Sequence, residues 1–144
     1  MLIAVDIDGT LFDCRARAHL IPSDPSRAEN WTPYNSARRL DVPRSAVVEL
    51  VQDLAQVNSV VLVTSAGAAV RHRVTEQMFT AGLLNYDDLD MRPMNDHRTA
   101  LEYKMERYRE LKPDIVIEDH PGIVAALRLE GFTVLQIDSL DPTL

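Results

Sequence analysis

The chain has 144 residues, 46% hydrophobic and 26% charged, the size and composition of one ordinary domain with a core of its own, which leaves no room for a tandem architecture. One cysteine, Cys14, makes neither a disulfide framework nor a zinc cluster, and a reducing cytoplasm is the expected compartment. The net charge of −7 argues against a protein that coats nucleic acid through phosphate contacts. The opening MLIAVDID turns acidic before a signal-peptide apolar stretch could develop, and no run reaches the about 18 apolar residues of a membrane span, so a soluble, non-exported protein without a membrane partner is expected.

In chain order, Leu2 to Ile7 reads as a short strand. Asp13 to Val42 follows, with Pro22, Pro25 and Pro33 scattered through it and no sustained period of either kind; irregular segments of this length are functional lids or disordered pieces. Six arginines (Arg15, Arg17, Arg27, Arg38, Arg39, Arg44) face four acids between Asp13 and Arg44, whereas the rest of the chain carries nine basic against eighteen acidic residues. This segment is therefore expected to be a basic flap on an acidic body. Pro43 to Val57 predicts a helix with Pro43 in its first turn. Ser59 to Val63 predicts a second strand and Ala68 to Ala81 a helix. Leu83 to Asn95 is irregular, with one short strand around Leu89 to Met94. Asp96 to Leu111 predicts a helix with Leu101, Met105, Tyr108 and Leu111 on one side. Ile115 to Ile117 reads as a strand, Pro121 to Glu130 as a helix closing at Gly131, and Phe132 to Ile137 as the last strand. Near-continuous apolar strands alternating with helices imply an α/β fold, a doubly wound parallel sheet covered on both faces.

The chemistry-bearing residues fall at strand ends. Asp6 and Asp8 close the first strand, Thr64 and Ser65 follow the second, and Glu118 and Asp119 follow Ile115 to Ile117. In an open parallel sheet these carboxyl ends share one edge, where ligands bind. Asp6 and Asp8, two apart in extended chain, leave on the same side. Carboxylates that converge repel one another unless a cation sits among them, and oxygen donors with room for water suit Mg²⁺.

VDIDGTLFD (Val5 to Asp13) resembles the first motif, hhhDxDGT, of the haloacid dehalogenase superfamily of phosphohydrolases. Thr64 after SVVLV, Lys104 in EYKMERY and Glu118-Asp119 are similar to its second, third and fourth motifs, in the same order. Within it, Arg92, Asp96, Arg98 and Lys104, with WTPYN (Trp31 to Asn35), resemble the phosphatase domains of bacteriophage polynucleotide kinase/phosphatases. The resemblance implies a Rossmann-like sheet with no cap or a minimal one, and one phosphatase domain over residues 1–144 with 13–42 as the flap. It implies Asp6 as nucleophile forming an aspartyl phosphate and Asp8 as general acid and base. Mg²⁺ would be held by Asp6, the Asp8 carbonyl and Asp119, with Glu118 beside them. Thr64, Ser65, Lys104, Arg92, Arg98 and Asp96 would form the phosphate and substrate site.

The implied substrate is the 3′-phosphate of a DNA or RNA end, with a phosphorylated nucleotide or other small phosphomonoester as the alternative. A non-catalytic binding module is the competing class. A response-regulator receiver is disfavoured because no Asp follows SVVLV, and no GxxxxGK[ST] loop is present for a kinase. Taken alone, Lys104 among Glu102, Glu106 and Glu110 would pair within its helix. His120 before Pro121 reads as a helix-start residue, and Trp31 as packing. The related phage enzymes carry an Arg two positions after the second-motif hydroxyl. Here that position is Ala66, so Arg71, Arg38 and Arg39 are the candidates to replace it.

Overall fold

Residues of alternating faces along each apolar strand divide the core into two layers, and the helices follow from that division. The computed structural model describes residues 1–144. Its elements are β1 (Leu2–Asp6), β2 (Phe12–Asp13), α1 (Thr32–Ser36), β3 (Val42–Pro43), α2 (Ser45–Ala55), β4 (Ser59–Gly67), α3 (Arg71–Thr80), β5 (Asp88–Arg92), α4 (Ala100–Leu111), β6 (Ile115–Glu118), α5 (Pro121–Leu129) and β7 (Val134–Gln136). Five strands form one parallel sheet in the order β5-β4-β1-β6-β7, and β2 and β3 form a separate antiparallel ribbon. The fold is the α/β, doubly wound parallel sheet read from the alternation of strands and helices.

Ile3 and Val5 of β1, with Val60 and Leu62 of β4, pack under Val48 and Val51 of α2 and Val74 and Met78 of α3. The intervening residues Ala4, Val61 and Val63 face the other way, against Met105 and Tyr108 of α4 and Ile123, Val124 and Leu127 of α5. Both faces of the central strands are dry, which is why their sequences show no polar alternation. The order of strands reverses between β1 and β6, so their carboxyl ends open a crevice of the kind in which such sheets bind ligands. No helix is long and apolar enough to cross a membrane.

Several boundaries differ from the sequence reading. Pro43 does not enter a helix; it pairs with Phe12 in the β2–β3 ribbon, and α2 begins at Ser45. As an imide in a short ribbon it forfeits no ladder bond that a neighbour needs. The helix expected from Asp96 starts at Ala100. Asn95 takes a left-handed turn, Asp96 accepts the backbone N–H of Arg98, and Thr99 closes a capping box with Glu102. That T-x-x-E signature was the local signal for the true start. Residues Ala68–Val70 form a 3₁₀ turn ahead of α3, and β4 runs on to Gly67 through a register shift after Thr64.

The irregular segment Asp13 to Val42 folds into 3₁₀ turns at Arg15–Leu20, Ala28–Trp31 and Arg38–Leu40 around the short α1. It lies at the carboxyl edge, where Pro25, Trp31 and Tyr34 line the same cavity as Asp6 and Asp8. Its positive charge is not free, contrary to the expectation of a basic surface. Arg15 pairs with Asp13, Arg17 with Asp8 and Asp41, Arg27 with Glu29, Arg38 with Asp8, Arg39 with Glu76 and Arg44 with Asp138.

Leu127, fully buried on α5, and Thr99, the α4 cap, test the two levels of this description. Urea unfolding should show a loss of about 2–5 kcal/mol for Leu127→Ala and of about 1 kcal/mol for Thr99→Ala.

Candidate active site

The first strand ends in a turn that requires a glycine at position 9. Gly9 sits at φ +87°, donates its N–H to the carbonyl of Phe12 and sends the chain away from the sheet. A Cβ at this position would lie 2.2 Å from Asp119 Oδ2 and 2.8 Å from Asp141 Cβ. The missing side chain is what lets the end of β6 approach the end of β1.

Asp6, 2% exposed, sits at that junction. Thr10 Oγ1 donates to its Oδ2 at 2.8 Å and reaches Asp119 Oδ1 at 3.3 Å. Lys104 Nζ, arriving from α4, donates to Asp6 Oδ1 and, at 3.0 Å, to Glu118 Oε2. The intrahelical pairing that Lys104's neighbours suggest does not form, because the side chain is buried on the sheet-facing side of α4. Burial works against its charge, yet Asp6 and Glu118 outweigh that and hold its pKa above the ordinary lysine value. Burial and the nearby carboxylates Glu118, Asp119 and Asp8 push Asp6 up, and Lys104 pulls it down. Burial, with Glu118 adding to it, pushes Asp119 up to about 6 against a hydrogen bond from Ser139.

Glu118 is spoken for by protein donors. Its Oε2 also accepts from Tyr108 at 3.1 Å, and its Oε1 from the N–H groups of Asp119 and His120 at 3.3 Å each. The single carboxylate oxygens of Asp6, Glu118 and Asp119 nevertheless lie within 4.8 Å of one another. One ammonium does not balance three buried carboxylates, and an all-oxygen donor set of this charge fits a hard divalent cation. Of the three, Asp6 and Asp119 keep oxygens that a cation could use.

Asp8 faces a different set of partners. Arg38 Nη1 lies 2.7 Å from its Oδ1 and Nη2 3.2 Å from its Oδ2, Arg17 Nη2 lies 2.9 Å from Oδ1, and Thr64 Oγ1 donates to Oδ2 at 3.0 Å. Burial alone would raise this carboxyl, but Arg38 and Arg17 hold it far below the usual carboxylate range. Of the three arginines considered for the place of Ala66, Arg71 donates to the Leu89 carbonyl and Arg39 is exposed beside Glu76; of these, Arg38 alone meets Asp8.

Asp6, Asp8, Ser65, Arg92, Arg98, Lys104, Glu118 and Asp119 all border one cavity of about 440 Å³. Thr64 and Asp96 do not. Thr64 is fully buried, and its hydroxyl is committed to Asp8 and to the N–H of Ala66. Asp96 binds Arg98, whose other end meets Glu106, so the charge of Arg98 is already answered. Arg92 is the contrasting case. Its Nε and Nη1 donate to the carbonyls of Ser65 and Arg98, and no carboxylate pairs with it. Burial lowers its pKa from the ordinary value, and it stands as a cation at the cavity wall without a carboxylate partner. His120 caps α5 by accepting from the N–H groups of Gly122 and Ile123, and its side of the helix start also borders the cavity. Trp31 packs edge-on against Tyr34 with ring centroids 5.6 Å apart.

Sequence reading missed Arg17 and Asp41 as partners of this site, together with Gln77, Tyr108, Ser139 and Asp141. Ser139 and Asp141 had a signal, since they follow the last strand and so reach the same sheet edge. Arg17 and Gln77 had none, being placed only by tertiary packing.

No curated protein matches this chain. Among solved structures, a chain of the Pnkp1/Rnl/Hen1 complex superposes with a TM-score of 0.70 at 23% identity, covering 95% of this chain and 45% of that one. A chain of the Pnkp1/Rnl/Hen1 RNA repair complex gives 0.71 at 23% identity, covering 95% and 42%. The haloacid dehalogenase-like family hydrolase SP0104 from Streptococcus pneumoniae gives 0.67 at 12% identity, covering 97% and 86%. The chain therefore spans less than half the length of the first two relatives, and all three share its haloacid dehalogenase-like fold. The model of the polynucleotide kinase PNKP phosphatase domain matches residues 1–141; the chain belongs to that family of phosphatase domains.

Proposed function

We propose that residues 1–144 act as one phosphatase domain that hydrolyses a phosphomonoester at the end of a nucleic acid, the 3′-phosphate foremost, with Asp6 as nucleophile and residues 13–42 as the flap over the site. The observation that carries this reading is the setting of Asp6. It is a buried carboxylate steered by Thr10 and Lys104, faces a cavity of about 440 Å³, and has an unpaired guanidinium, Arg92, on the same wall.

In the first step an oxygen of Asp6 attacks phosphorus, the bond from phosphorus to the ester oxygen breaks, and that oxygen leaves with a proton from Asp8. In the second, water attacks the phosphorus, gives its proton back to Asp8, and the bond to Asp6 breaks. Asp8 as found, clamped by two guanidiniums, is in the charged form that the second step requires of a base. A dianionic phosphate arriving beside it favours the protonated form needed for the first, because like charges in one site cannot all stay ionised. Lys104 and Arg92 balance the charge that spreads over the phosphoryl oxygens. Asp6, the Asp8 carbonyl and Asp119 would hold Mg²⁺, which offsets the repulsion between a carboxylate and a phosphate. Glu118 keeps Lys104 in place.

For the substrate, Arg92 supports an anionic group beyond the reacting phosphate. Trp31 and His120 on the cavity rim support a base or sugar next to it. A mononucleotide is the second reading, favoured because every arginine between residues 13 and 44 already has a carboxylate partner. A polynucleotide would then be gripped over about one to three terminal nucleotides, with a shallow salt dependence.

A phosphate-release panel with Mg²⁺ tests this reading on a 3′-phosphorylated oligonucleotide, its 5′-phosphorylated isomer, 3′- and 5′-mononucleotides and a sugar phosphate. The 3′-phosphorylated end should give the highest kcat/KM; a sugar phosphate preferred tenfold or more over every nucleotide, on the order of 1.4 kcal/mol in the transition state, would refute the nucleic-acid end. Asp6→Asn should abolish turnover with the fold intact, and EDTA should silence the enzyme until Mg²⁺ is restored.

Stability should also depend on pH in a way that reports the acid cluster. Asp119, raised to about 6 in the folded protein against 3.8, holds its proton longer when folded than when unfolded. Metal-free protein should therefore lose stability as pH rises through that window. Mg²⁺ competes with that proton, so its stabilising effect in thermal melts should be larger at pH 7 than at pH 5.

A further inference from the structure

Position 66 offers no donor, since Ala66 is a methyl group with 2% exposure. Of the two guanidiniums that meet Asp8, the one that forks onto both its oxygens comes from the 3₁₀ turn Arg38–Leu40 at the far end of the flap. Arg38 places its two terminal nitrogens on the two oxygens of Asp8, at 2.7 and 3.2 Å, as a fork. Nη1 is in turn held by Gln77 Oε1 of α3 at 3.2 Å, and Gln77 Nε2 donates to Asp41 Oδ2 at 2.7 Å. Asp41 accepts Arg17 Nε at 2.7 Å, and Arg17 Nη2 returns to Asp8 Oδ1 at 2.9 Å. Five side chains thus close a ring through the β1 turn, the flap and α3, and Thr64 adds a further donor to Asp8.

The ring stands behind Asp8, away from the substrate side. Asp8 borders the 440 Å³ cavity, but neither Arg38 nor Arg17 does. Arg38 instead borders a separate cavity of about 190 Å³ between the flap and α3, with Arg39, Arg73 and Gln77. Its Nε is the one buried side-chain nitrogen or oxygen without a hydrogen-bond partner. A donor left unpaired in the interior is a cost to the fold. It is the outcome expected when the head group is aligned to Asp8 and not to its own full satisfaction.

Asp8 lies beyond the end of β1, outside the main sheet and bridged only to Phe12, and the hydrogen bonds that hold its carboxylate come from Arg38, Arg17 and Thr64. Proton transfer to an ester oxygen requires that carboxylate within hydrogen-bond reach and correctly aimed, and small misplacements are costly. We propose that Arg38 is a positioning residue for the phosphatase reaction: its fork, braced by Gln77, aims the Asp8 carboxylate at the oxygen with which it exchanges a proton. This rests on the phosphatase reading above and assigns Arg38 no contact with substrate.

Single-turnover experiments with enzyme in excess, following release of the alcohol, isolate the first step. Two substrates differ in their need for a proton: p-nitrophenyl phosphate, whose leaving group departs readily as an anion, and a 3′-phosphorylated dinucleotide, whose alkoxide does not. Arg38→Ala should slow the dinucleotide about 100-fold or more and the aryl ester less than about tenfold, with the enzyme concentration for half-maximal rate nearly unchanged. Millimolar guanidinium, entering through the 190 Å³ cavity that the truncation enlarges, should restore the dinucleotide rate at least about tenfold. Arg38→Lys, which keeps the charge but loses the fork, should restore little of the loss. Gln77→Leu, which leaves Arg38 unbraced, should cost about three- to tenfold with the same preference for the aryl ester.

Equal losses on both substrates, a change confined to the half-saturating concentration, or a folded Arg38→Ala that guanidinium does not rescue would each overturn the proposal. Circular dichroism establishes folding. Should Arg38→Ala not fold, Arg38→Lys and Gln77→Leu decide the matter by the same two-substrate comparison. A wild-type protein that hydrolyses neither ester refutes the phosphatase reading itself, and this inference with it.

Discussion

Four carboxylates, Asp6, Asp8, Glu118 and Asp119, meet at the carboxyl ends of β1 and β6 in a region that is mostly shielded from water. Such a cluster is self-repelling, and each member must be paired, hydrogen-bonded or protonated to stay there. The layout of the surrounding structure can be traced to how that demand is met. Lys104 answers Asp6 and Glu118 from α4, Tyr108 supports Glu118 from the next turn, and Arg17 and Arg38 answer Asp8 from the flap. Removing any one of these cations leaves an uncompensated buried charge, which costs far more than losing a surface pair.

The two halves of the cluster are compensated by different parts of the chain, and this has a structural consequence. α4 is anchored by a conventional apolar face, with Met105 and Tyr108 in the core, so Lys104 is delivered by a rigid element. The flap has few such anchors. Among its arginines, Arg17 and Arg38 are almost wholly buried; Arg17 lies 4.2 Å from the ring centroid of Tyr34 and donates to that residue's carbonyl at 3.0 Å. The acid that the flap covers is therefore also a main reason that the flap has a fixed shape. Asp8 and residues 13–42 specify one another, and a change at either is felt at both.

The sheet and most of its helices were legible because apolar runs of strand length alternate with amphipathic segments, and parallel topology follows from that alternation. The convergence of Asp6, Thr64 and Asp119 was legible for the same reason, since strand ends share an edge, whereas Lys104, on a helix among three glutamates, was placed there by the family resemblance and not by its spacing. The flap was not. Its 3₁₀ turns have no sequence period, and its arginines read as a basic surface when counted, whereas in space each has found a carboxylate. Charge counting along a chain is blind to whether the partner lies two residues away, as for Arg15 and Asp13, or ninety-four, as for Arg44 and Asp138. Helix starts failed where local hydrogen bonding outcompeted periodicity: Asp96 and Arg98 bind each other ahead of Thr99, and Pro43 found a place in a ribbon.

That self-pairing bears on the proposed nucleic-acid substrate. With the flap's charge spent internally and a net charge of −7, the flap offers little to offset the repulsion of a long phosphate backbone. Within the cavity, Arg92 is the cation without a carboxylate partner, whereas Lys104 is shared between two carboxylates and Arg98 is held by Asp96 and Glu106. A phosphate at a chain end can enter such a cavity while the rest of the backbone stays in screened solvent beyond about 10 Å. Under the proposed function, an internal phosphodiester would bring its neighbouring phosphates against the acidic body. For the proposed nucleic-acid end, this charge distribution supports termini over internal sites before any base or sugar is read, and discrimination of this kind comes from where a protein withholds positive charge as much as from where it places it.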